Sequence, residues 1–342
     1  MKSLAMCSLV ATVASNAFGQ IVVDGILDAG YGNPKAVQAV ATGFGNAPGG
    51  MNGWADGSEL DGGWIKVDAE GGYLYLFFSG NLQSNFNKFE VFIDSVADAG
   101  QNALRSDNAN VDYDGLNAMG EDTVNAIPGL RFDAGFAPDF YVTTTVGFNG
   151  TGCAQYANIA QILTDGGGVG AYIGSGVFSD PMTGSNLIDD TLYGCQLSLN
   201  NSNAGGVGSN GDATPVTDGC GVTTGVEMKI PLANIGWVDG PIRVCAFING
   251  GGHDYASNQV LGALPANSGN LGGDGTGTWT GQNAKAKLRF SFADIAGDQF
   301  FSSAGPDACV SAPACPGDLD GSNSVDAGDI GSLLLLFGDC PA

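Results

Sequence analysis

An acidic loop near the end of the chain has the most definite chemistry in the sequence. Counted from Asp318, oxygen-bearing side chains occupy positions 1, 3, 5, 9 and 12, and Ser324 adds one more candidate ligand. This spacing suits Ca²⁺, a hard cation that takes six to eight oxygen ligands. We therefore predict a calcium site formed by Asp318, Asp320, Ser322, Ser324, Asp326 and Asp329. The alternative is an acidic turn exposed to solvent.

The residues around this loop predict the elements that position it. Apolar residues recur at helical spacing after the last ligand: Ile330, Leu333, Leu334 and Phe337. Val325, at position 8, would point inward, so loop and helix form one small module. A disulfide between Cys315 and Cys340 is the pairing we favour, because these residues bracket a module too small to hold itself together. The sequence alone does not determine the connectivity of its cysteines.

This loop and helix resemble one half of a dockerin repeat. The residues that match the repeat are Asp318, Asp320, Asp326, Asp329, Ile330 and Leu334. Dockerins normally carry two such repeats, whereas this chain has one, and Asn323 stands where EF-hand loops usually have glycine. Asparagine tolerates the left-handed conformation better than most residues. The resemblance implies calcium binding and a cohesin-like or cell-surface protein as partner.

The first residues of the chain have the pattern of an export signal. Lys2 precedes the apolar run 4–13, and Ala17 and Gly19 form a small-x-small cleavage site around Phe18. We therefore predict a signal peptide at 1–19 and a secreted or cell-surface location. No other stretch of the sequence reaches the roughly 18 apolar residues of a membrane helix, so we expect no membrane insertion.

The charge balance excludes one class of partner. The chain has 35 acidic and 11 basic residues, for a formal net charge of −24. Nucleic-acid binding needs patches of Lys and Arg that neutralise phosphates, so we expect no nucleic-acid partner. Hydrophobic residues make up 44 % of the chain, which is enough to form a core, and 57 glycines disfavour long helices.

Alternating apolar residues predict strands along most of the chain. The clearest patterns cover 64–67, 73–79, 86–94, 140–148, 226–230, 242–249 and 285–292. Period two with aromatic and branched residues, separated by Gly and Asn turns, is typical of a half-buried antiparallel sheet. We therefore predict a mainly β protein.

The predicted architecture is an antiparallel, jelly-roll-like β-sandwich with long Gly/Asn-rich loops, followed by a small C-terminal calcium-loop and helix module. The sandwich is assigned to 20–296, a linker rich in Ser, Ala and Pro to 297–316, and the dockerin-like repeat to 317–342.

Several short motifs resemble those of family 9 carbohydrate-binding modules and related DOMON-like sandwiches. They are Val23-Asp24-Gly25-x-Leu27-Asp28, Tyr73 to Phe77, Phe89 to Asp94 and Glu227 to Leu232. The combination with one dockerin-like repeat is similar to secreted proteins of planctomycete-type bacteria. The resemblance implies a β-sandwich and a glycan as ligand.

Tryptophans are the first candidates for stacking on a sugar. The chain has Trp54, Trp64, Trp237 and Trp279. Each has core or loop packing as its alternative role, because a large aromatic side chain serves both purposes.

Residues for catalysis are few, and we assign none. His253 is the single histidine, and because it lies in a Gly-rich loop, we interpret it as a turn or hydrogen-bonding residue. The chain lacks the Gly-x-Ser-x-Gly elbow of hydrolases with a serine nucleophile. Glu90 and Glu227 lie in strand patterns and could form the carboxylate pair of a glycosidase. The simpler interpretation places both on solvated strand faces.

A polar segment at 97–129 contains Asp107, Asn110, Asp112 and Asp114. A second cation site is conceivable there, but an Asp/Asn-rich loop is the favoured interpretation, because the spacing fits no calcium template.

These observations favour a secreted, non-enzymatic binding or surface-structural protein. Its sandwich would contact a glycan or a surface partner, and a structural calcium would stabilise its dockerin-like tail. The alternative is an extracellular polysaccharide-degrading enzyme, a glycoside hydrolase or lyase, on a β-sandwich scaffold.

Overall fold

The computed structural model describes residues 20–44, 58–148, 152–178, 186–203, 205–208, 219–262, 264–274 and 284–309. Several predictions lie outside these ranges. They are the signal peptide at 1–19, the calcium loop from Asp318 to Asp329 with its module at 317–342, the pair Cys315 and Cys340, and the tryptophans Trp54 and Trp279.

Within the described ranges the chain is built almost entirely of strands. They are β1 (Ala36–Val37), β2 (Glu59–Asp68), β3 (Tyr73–Asn81), β4 (Asn85–Asp94), β5 (Phe140–Phe148), β6 (Cys153–Gln161), β7 (Gly170–Val177), β8 (Ile188–Asp189), β9 (Gln196–Leu199), β10 (Gly225–Pro231), β11 (Arg243–Asn249), β12 (Tyr255–Leu261), β13 (Gly272–Gly273) and β14 (Phe301–Ser302). One short helix, α1 (Gly115–Met119), and two 3₁₀ turns, Ala29–Tyr31 and Phe292–Asp294, complete the elements.

The strands form two antiparallel sheets. One has six strands in the order β1-β2-β3-β10-β9-β8. The other has eight, in the order β13-β12-β11-β4-β5-β6-β7, with β14 also paired to β11. The prediction of a mainly β, antiparallel protein is confirmed, and the two sheets are consistent with a β-sandwich.

One apolar cluster lies between the two sheets. In β4, Phe89, Val91 and Ile93 are fully buried in this cluster, as period-two alternation predicts. Across the sheets, the ring of Phe78 from β3 packs edge-to-face on Phe89 with 4.9 Å between centroids. Each such side chain contributes roughly 1.5–3 kcal/mol when it is fully buried, so this cluster holds the two sheets face to face.

The outer faces of both sheets are also partly covered. On the eight-stranded sheet, Phe92 and Phe247 belong to a second apolar cluster together with Leu116 of α1 and Phe132. On the six-stranded sheet, Tyr31, Trp64 and Phe77 form a third, smaller cluster. The strands are therefore buried on both faces over much of their length, which half-buried alternation alone does not predict.

The segment at 285–292 is not a strand, although its pattern predicted one. Ala286, Leu288 and Phe292 are buried, but the segment pairs with a neighbour only through an isolated bridge between Ser291 and Arg131. Two of its backbone amides donate instead to the carbonyls at the end of α1, Lys287 to Ala118 and Ala286 to Gly120. Its apolar residues cover the eight-stranded sheet rather than extend it.

The folded region continues past the predicted start of the linker at 297. Phe301 lies in β14 and packs in the inter-sheet cluster. Asp307 pairs with Lys35 at 2.6 Å, and Cys309 forms a disulfide with Cys220. Residues 297–309 therefore belong to the sandwich, and the rest of the predicted linker lies outside the described residues.

Candidate functional site

A groove opens on the outer face of the eight-stranded sheet, beyond the area covered by α1 and its neighbours. It encloses about 610 Å³. Four aromatic side chains line it, Phe86, Tyr113, Tyr156 and Tyr172, together with the polar residues Lys88, Asp112, Thr145 and Asn158. We call this the aromatic groove. A second hollow of about 510 Å³ shares Asp112, Tyr113, Asn158 and Tyr172 with it, so the groove continues past these residues.

Sheet register brings the lining residues together. Lys88 of β4 lies opposite Thr145 of β5, which lies opposite Tyr156 of β6. One step along, Asn158 of β6 pairs with Tyr172 of β7. The alternate residues of these strands point into the inter-sheet core, so the groove residues share the outer face. A rigid sheet therefore fixes most of the groove.

Three aromatic rings in the groove are open to solvent. Tyr113 is 62 % exposed, Tyr172 57 % and Phe86 45 %. Large apolar side chains exposed together on one concave surface mark interaction sites more often than isolated ones do. The groove therefore has the character of a binding surface with polar groups at its floor and edges.

Backbone strain is concentrated in the loop that carries Tyr113. Asp112, Tyr113 and Asp114 have φ values of 46°, 56° and 68°, in the left-handed region that costs non-glycine residues about 1–3 kcal/mol each. Gly115 follows, and a Cβ at this position would clash with Nε2 of His253. Only glycine lets the loop approach the imidazole this closely.

A chain of buried charges below the groove holds this strained loop. Lys88 Nζ lies 2.7 Å from Asp112 Oδ2, and His253 Nε2 lies 3.0 Å from the same oxygen. The other ring nitrogen, His253 Nδ1, lies 2.7 Å from Glu90 Oε1. Tyr141 Oη donates to Glu90 Oε2 at 2.6 Å. We call Lys88, Asp112, His253 and Glu90 the buried ionic chain.

The pKa values of this chain follow from its alternating charges. Burial alone would lower the pKa of His253, but the charge of Glu90 and hydrogen bonds to Asp112 and Glu90 raise it to about 9. Burial raises the pKa of each carboxyl, but His253, helped by Tyr141 at Glu90 and by Lys88 at Asp112, outweighs burial, so the pKa values of Glu90 and Asp112 lie below their usual range. With His253 protonated, two cations balance two anions.

His253 was predicted to be a turn or hydrogen-bonding residue, and the structure gives it both features. It has a φ of 54° and is 3 % exposed. Both ring nitrogens bond to carboxylates, so neither is directed at the groove. The imidazole is a cation inside the support of the groove rather than a base facing a ligand.

The prediction that Glu90 and Glu227 lie on solvated strand faces is wrong. Both are completely buried. Glu227 accepts hydrogen bonds from the backbone N–H groups of Asp24 and Gly25 and from Tyr31 Oη, at 2.9–3.0 Å. Their neighbours in β4 and β10 point into the inter-sheet cluster, so the two glutamates lie on opposite outer faces of the sandwich. They do not form a carboxylate pair.

The tryptophans of the described region do not line the aromatic groove. Trp64 is 3 % exposed and packs edge-to-face on Phe77. Trp237 is half-buried against the inter-sheet cluster, with its Nε1 donating to the Gly240 carbonyl at 3.0 Å. Both have the core or loop role that was the alternative for each of them.

The three aspartates predicted as candidate ligands in the 97–129 segment, Asp107, Asp112 and Asp114, have cationic partners within the protein. Arg105 holds Asp107 through two hydrogen bonds of 2.6 and 2.8 Å, and Asp112 belongs to the buried ionic chain. Lys285 Nζ lies 2.7 Å from Asp114 Oδ2, while Asn110 lines the second hollow. Among the described residues, no cluster of three or more His, Cys, Asp or Glu side chains is placed to hold a metal.

Sequence reasoning missed the aromatic groove because it considered only tryptophans. A signal was present: alternation puts Tyr156 and Asn158 on one face of β6, and Tyr172 falls on the same face of the next strand.

Comparisons with protein-family models, with curated proteins and with solved structures find no match to this chain. In the part of the chain that the structure describes, no helix is long and apolar enough to cross a membrane.

Proposed function

We propose that this chain is a non-enzymatic glycan-binding protein and that the aromatic groove is its binding site. The observation that carries the proposal is the exposure of Tyr113, Tyr172 and Phe86 on one concave sheet face. Aromatic rings with a polar tip combine an apolar stacking surface with hydrogen-bonding capacity. A sugar ring presents the matching combination, an apolar C–H face and a rim of hydroxyl groups.

The groove has suitable polar groups for such a rim. Asn158 offers an amide donor and acceptor, Thr145 a hydroxyl, and Asp112 a carboxylate at the groove floor. Lys88 is already paired with Asp112, so its positive charge is balanced within the protein. With a net charge of −24 on the chain, the favoured ligand is a neutral polysaccharide rather than an anionic one.

The rigid support below the groove fits a binding role. Lys88 and Glu90 come from β4, Asp112 from the strained loop and His253 from the turn before β12, so the buried ionic chain ties three segments together. Holding Tyr113 in place before the ligand arrives reduces the ordering cost of binding. The strained loop therefore presents the ring of Tyr113 to the groove.

The rival proposal of a polysaccharide-degrading enzyme has less support. Its suggested carboxylates, Glu90 and Glu227, are buried on opposite outer faces. Hydrolysis needs two carboxyl groups about 5–9.5 Å apart on either side of the scissile bond.

The remaining parts of the proposal concern the chain outside the described residues. We propose that the chain is exported and that 317–342 forms a calcium-bound, dockerin-like module. That module would attach the protein to a cohesin-like or cell-surface partner. Deleting 317–342 should abolish recovery of such a partner and leave glycan binding unchanged; equal recovery with and without the tail would reject this part.

The test of the groove is a binding measurement on matched variants. Isothermal titration calorimetry with neutral polysaccharides should give an affinity that falls at least about tenfold in Tyr113→Ala and in Tyr172→Ala, since burying a large apolar side chain contributes roughly 1.5–3 kcal/mol and about 1.4 kcal/mol is tenfold in affinity. Tyr73→Ala is the control, because Tyr73 is a half-buried tyrosine on the other sheet, under Lys229. Equal affinities in all three variants would reject the groove as the site.

A further inference from the structure

A second group of buried acidic side chains lies at the start of β2, in the six-stranded sheet. Glu59 pairs with Asn81 of β3 in the ladder, and Asp61 is the extra residue of a β-bulge between Leu60 and Gly62. Glu59, Asp61 and Asn81 are 1 %, 0 % and 3 % exposed. Two carboxylates are therefore placed out of solvent beside an amide.

Oxygen atoms from three segments converge at this place. Asn203 Nδ2 lies 2.8 Å from Glu59 Oε1, 3.0 Å from Asp61 Oδ2 and 2.7 Å from the carbonyl oxygen of Gly205. An amide nitrogen has only two hydrogens to donate, so it cannot satisfy three acceptors fully. The site is richer in acceptors than in donors.

Two further oxygen atoms at the same place have no partner. Glu59 Oε2 and Asn81 Oδ1 are buried, and neither accepts a hydrogen bond from the described residues. The Asn81 amide belongs to the cluster, because its Nδ2 donates to Glu59 Oε1 at 3.2 Å. Buried acceptors without partners are rare and destabilising, so these atoms indicate a missing positive ligand.

The protein supplies no cation for these carboxylates within its described part. None of the ion pairs there includes Glu59 or Asp61. The carboxylates of the buried ionic chain differ in this respect, because each of them lies beside Lys88 or His253.

We propose that Glu59, Asp61, Asn81 and the Gly205 carbonyl form a site for a hard divalent cation, and that this cation is Ca²⁺. Carboxylate, amide and backbone carbonyl oxygens are the ligand types that Ca²⁺ takes. Two carboxylates balance its charge, and their oxygens with those of Asn81 and Gly205 approach the six that it requires. The site is separate from the aromatic groove, which lies on the other sheet.

The cation has a structural role in this position. Val207 N donates to Asp61 Oδ1 at 2.8 Å, so the segment around Asn203 and Gly205 already closes over β2. A bound Ca²⁺ joins this segment to β2 and β3, because its ligands come from all three. Calcium binding at this site and folding of the segment are therefore coupled.

The test uses the full chain with the predicted tail loop disabled by Asp318→Ala and Asp320→Ala. After treatment with a chelator, isothermal titration calorimetry with CaCl₂ should show about one calcium per chain, with an affinity near the 10⁻⁴ to 10⁻³ M of extracellular modules. Adding Glu59→Gln should weaken binding at least tenfold. Glu227→Gln is the matched control, because Glu227 is a buried carboxylate on the same sheet with its hydrogen bonds satisfied.

A second variant keeps the test decisive if Glu59→Gln fails to fold. Asn81→Asp adds a carboxylate to the site, so it should lower the melting temperature without calcium and enlarge the rise on adding calcium. The proposal is overturned if the background protein takes up no calcium at about 5 mM, if Glu59→Gln binds as well as the background, or if calcium raises the melting temperature of Asn81→Asp by no more than it does for the background.

Discussion

The buried ionic chain makes a quantitative prediction, because its imidazole is the single histidine of the chain. A free histidine has a pKa near 6.5, whereas the partners of His253 raise its pKa to about 9. At 1.36 kcal/mol for each pH unit, this difference corresponds to about 3 kcal/mol of folding free energy. Because the pKa is raised in the folded state, that stability is fully present below about pH 6.5 and is lost as the pH rises through about 9.

The perturbation is His253→Gln, which removes the charge and keeps a similar volume. At pH 6 it should lower the free energy of unfolding by about 3 kcal/mol or more, because Glu90 and Asp112 are left without the cation between them. Other buried carboxyls also titrate in this range, so the informative quantity is the difference between wild type and variant. That difference should shrink by about 3 kcal/mol between pH 6 and pH 9.5, since only the wild type loses the histidine proton.

Two measurements check this reasoning. Urea unfolding of both proteins at the two pH values gives the difference in free energy, and a proton NMR titration follows the single imidazole without assignment of any other histidine. The titration should have its midpoint near pH 9. A midpoint near 6.5, or a difference in unfolding free energy that is the same at both pH values, would refute the charge balance assigned to the chain.

Three further predictions concern the covalent clip, the strained loop and the tail. Replacing Cys220 and Cys309 by serine should lower the free energy of unfolding by about 4 kcal/mol, because their disulfide closes a loop with a sequence separation of 89; an unchanged urea midpoint would contradict this. Gly115→Ala should weaken glycan binding and stability together, because the added Cβ would clash with the buried imidazole; crystals showing the loop undisplaced would argue against it. Asp320→Ala should abolish calcium-dependent ordering of the tail by circular dichroism, and a calcium response equal to wild type would reject the predicted loop.

The mainly β fold was predictable because period-two alternation is a local signal. Phe89, Val91 and Ile93 in the sequence already specify which face of β4 meets the core, and the structure confirms it. The same rule failed for Glu90 between them. Alternation assigns such a residue to solvent, yet a covering layer from elsewhere in the chain buries it together with His253, 163 positions away. No local pattern reveals that layer.

The segment at 285–292 illustrates the opposite error. Its apolar alternation is real and its residues Leu288 and Phe292 are buried, but Ala286 has a φ of 51°, outside the β region of regular strands. A pattern of buried alternate residues reports burial on one side and does not report a hydrogen-bonding partner. The sequence therefore predicted the role of this segment in the core and not its conformation.

The aromatic groove needed three-dimensional information for a different reason. Tyr156 and Tyr172 become neighbours only through the register of β6 and β7, and Tyr113 joins them from a loop of the covering layer. The carboxylates beside Asn203 likewise come together across a bulge and a returning loop. The predicted calcium loop, by contrast, takes all its ligands from one contiguous stretch, which is why the sequence alone could suggest it.

The most direct test of the proposed glycan function is a glycan-array comparison of the wild-type chain with the Tyr113→Ala/Tyr172→Ala double variant. Both rings are exposed on the groove surface, so their loss should leave the fold unchanged by circular dichroism. We predict that the wild type binds neutral glycans and that the double variant binds none of them. A wild type that binds no glycan, or a double variant with the same binding profile, would contradict the proposed function of the groove.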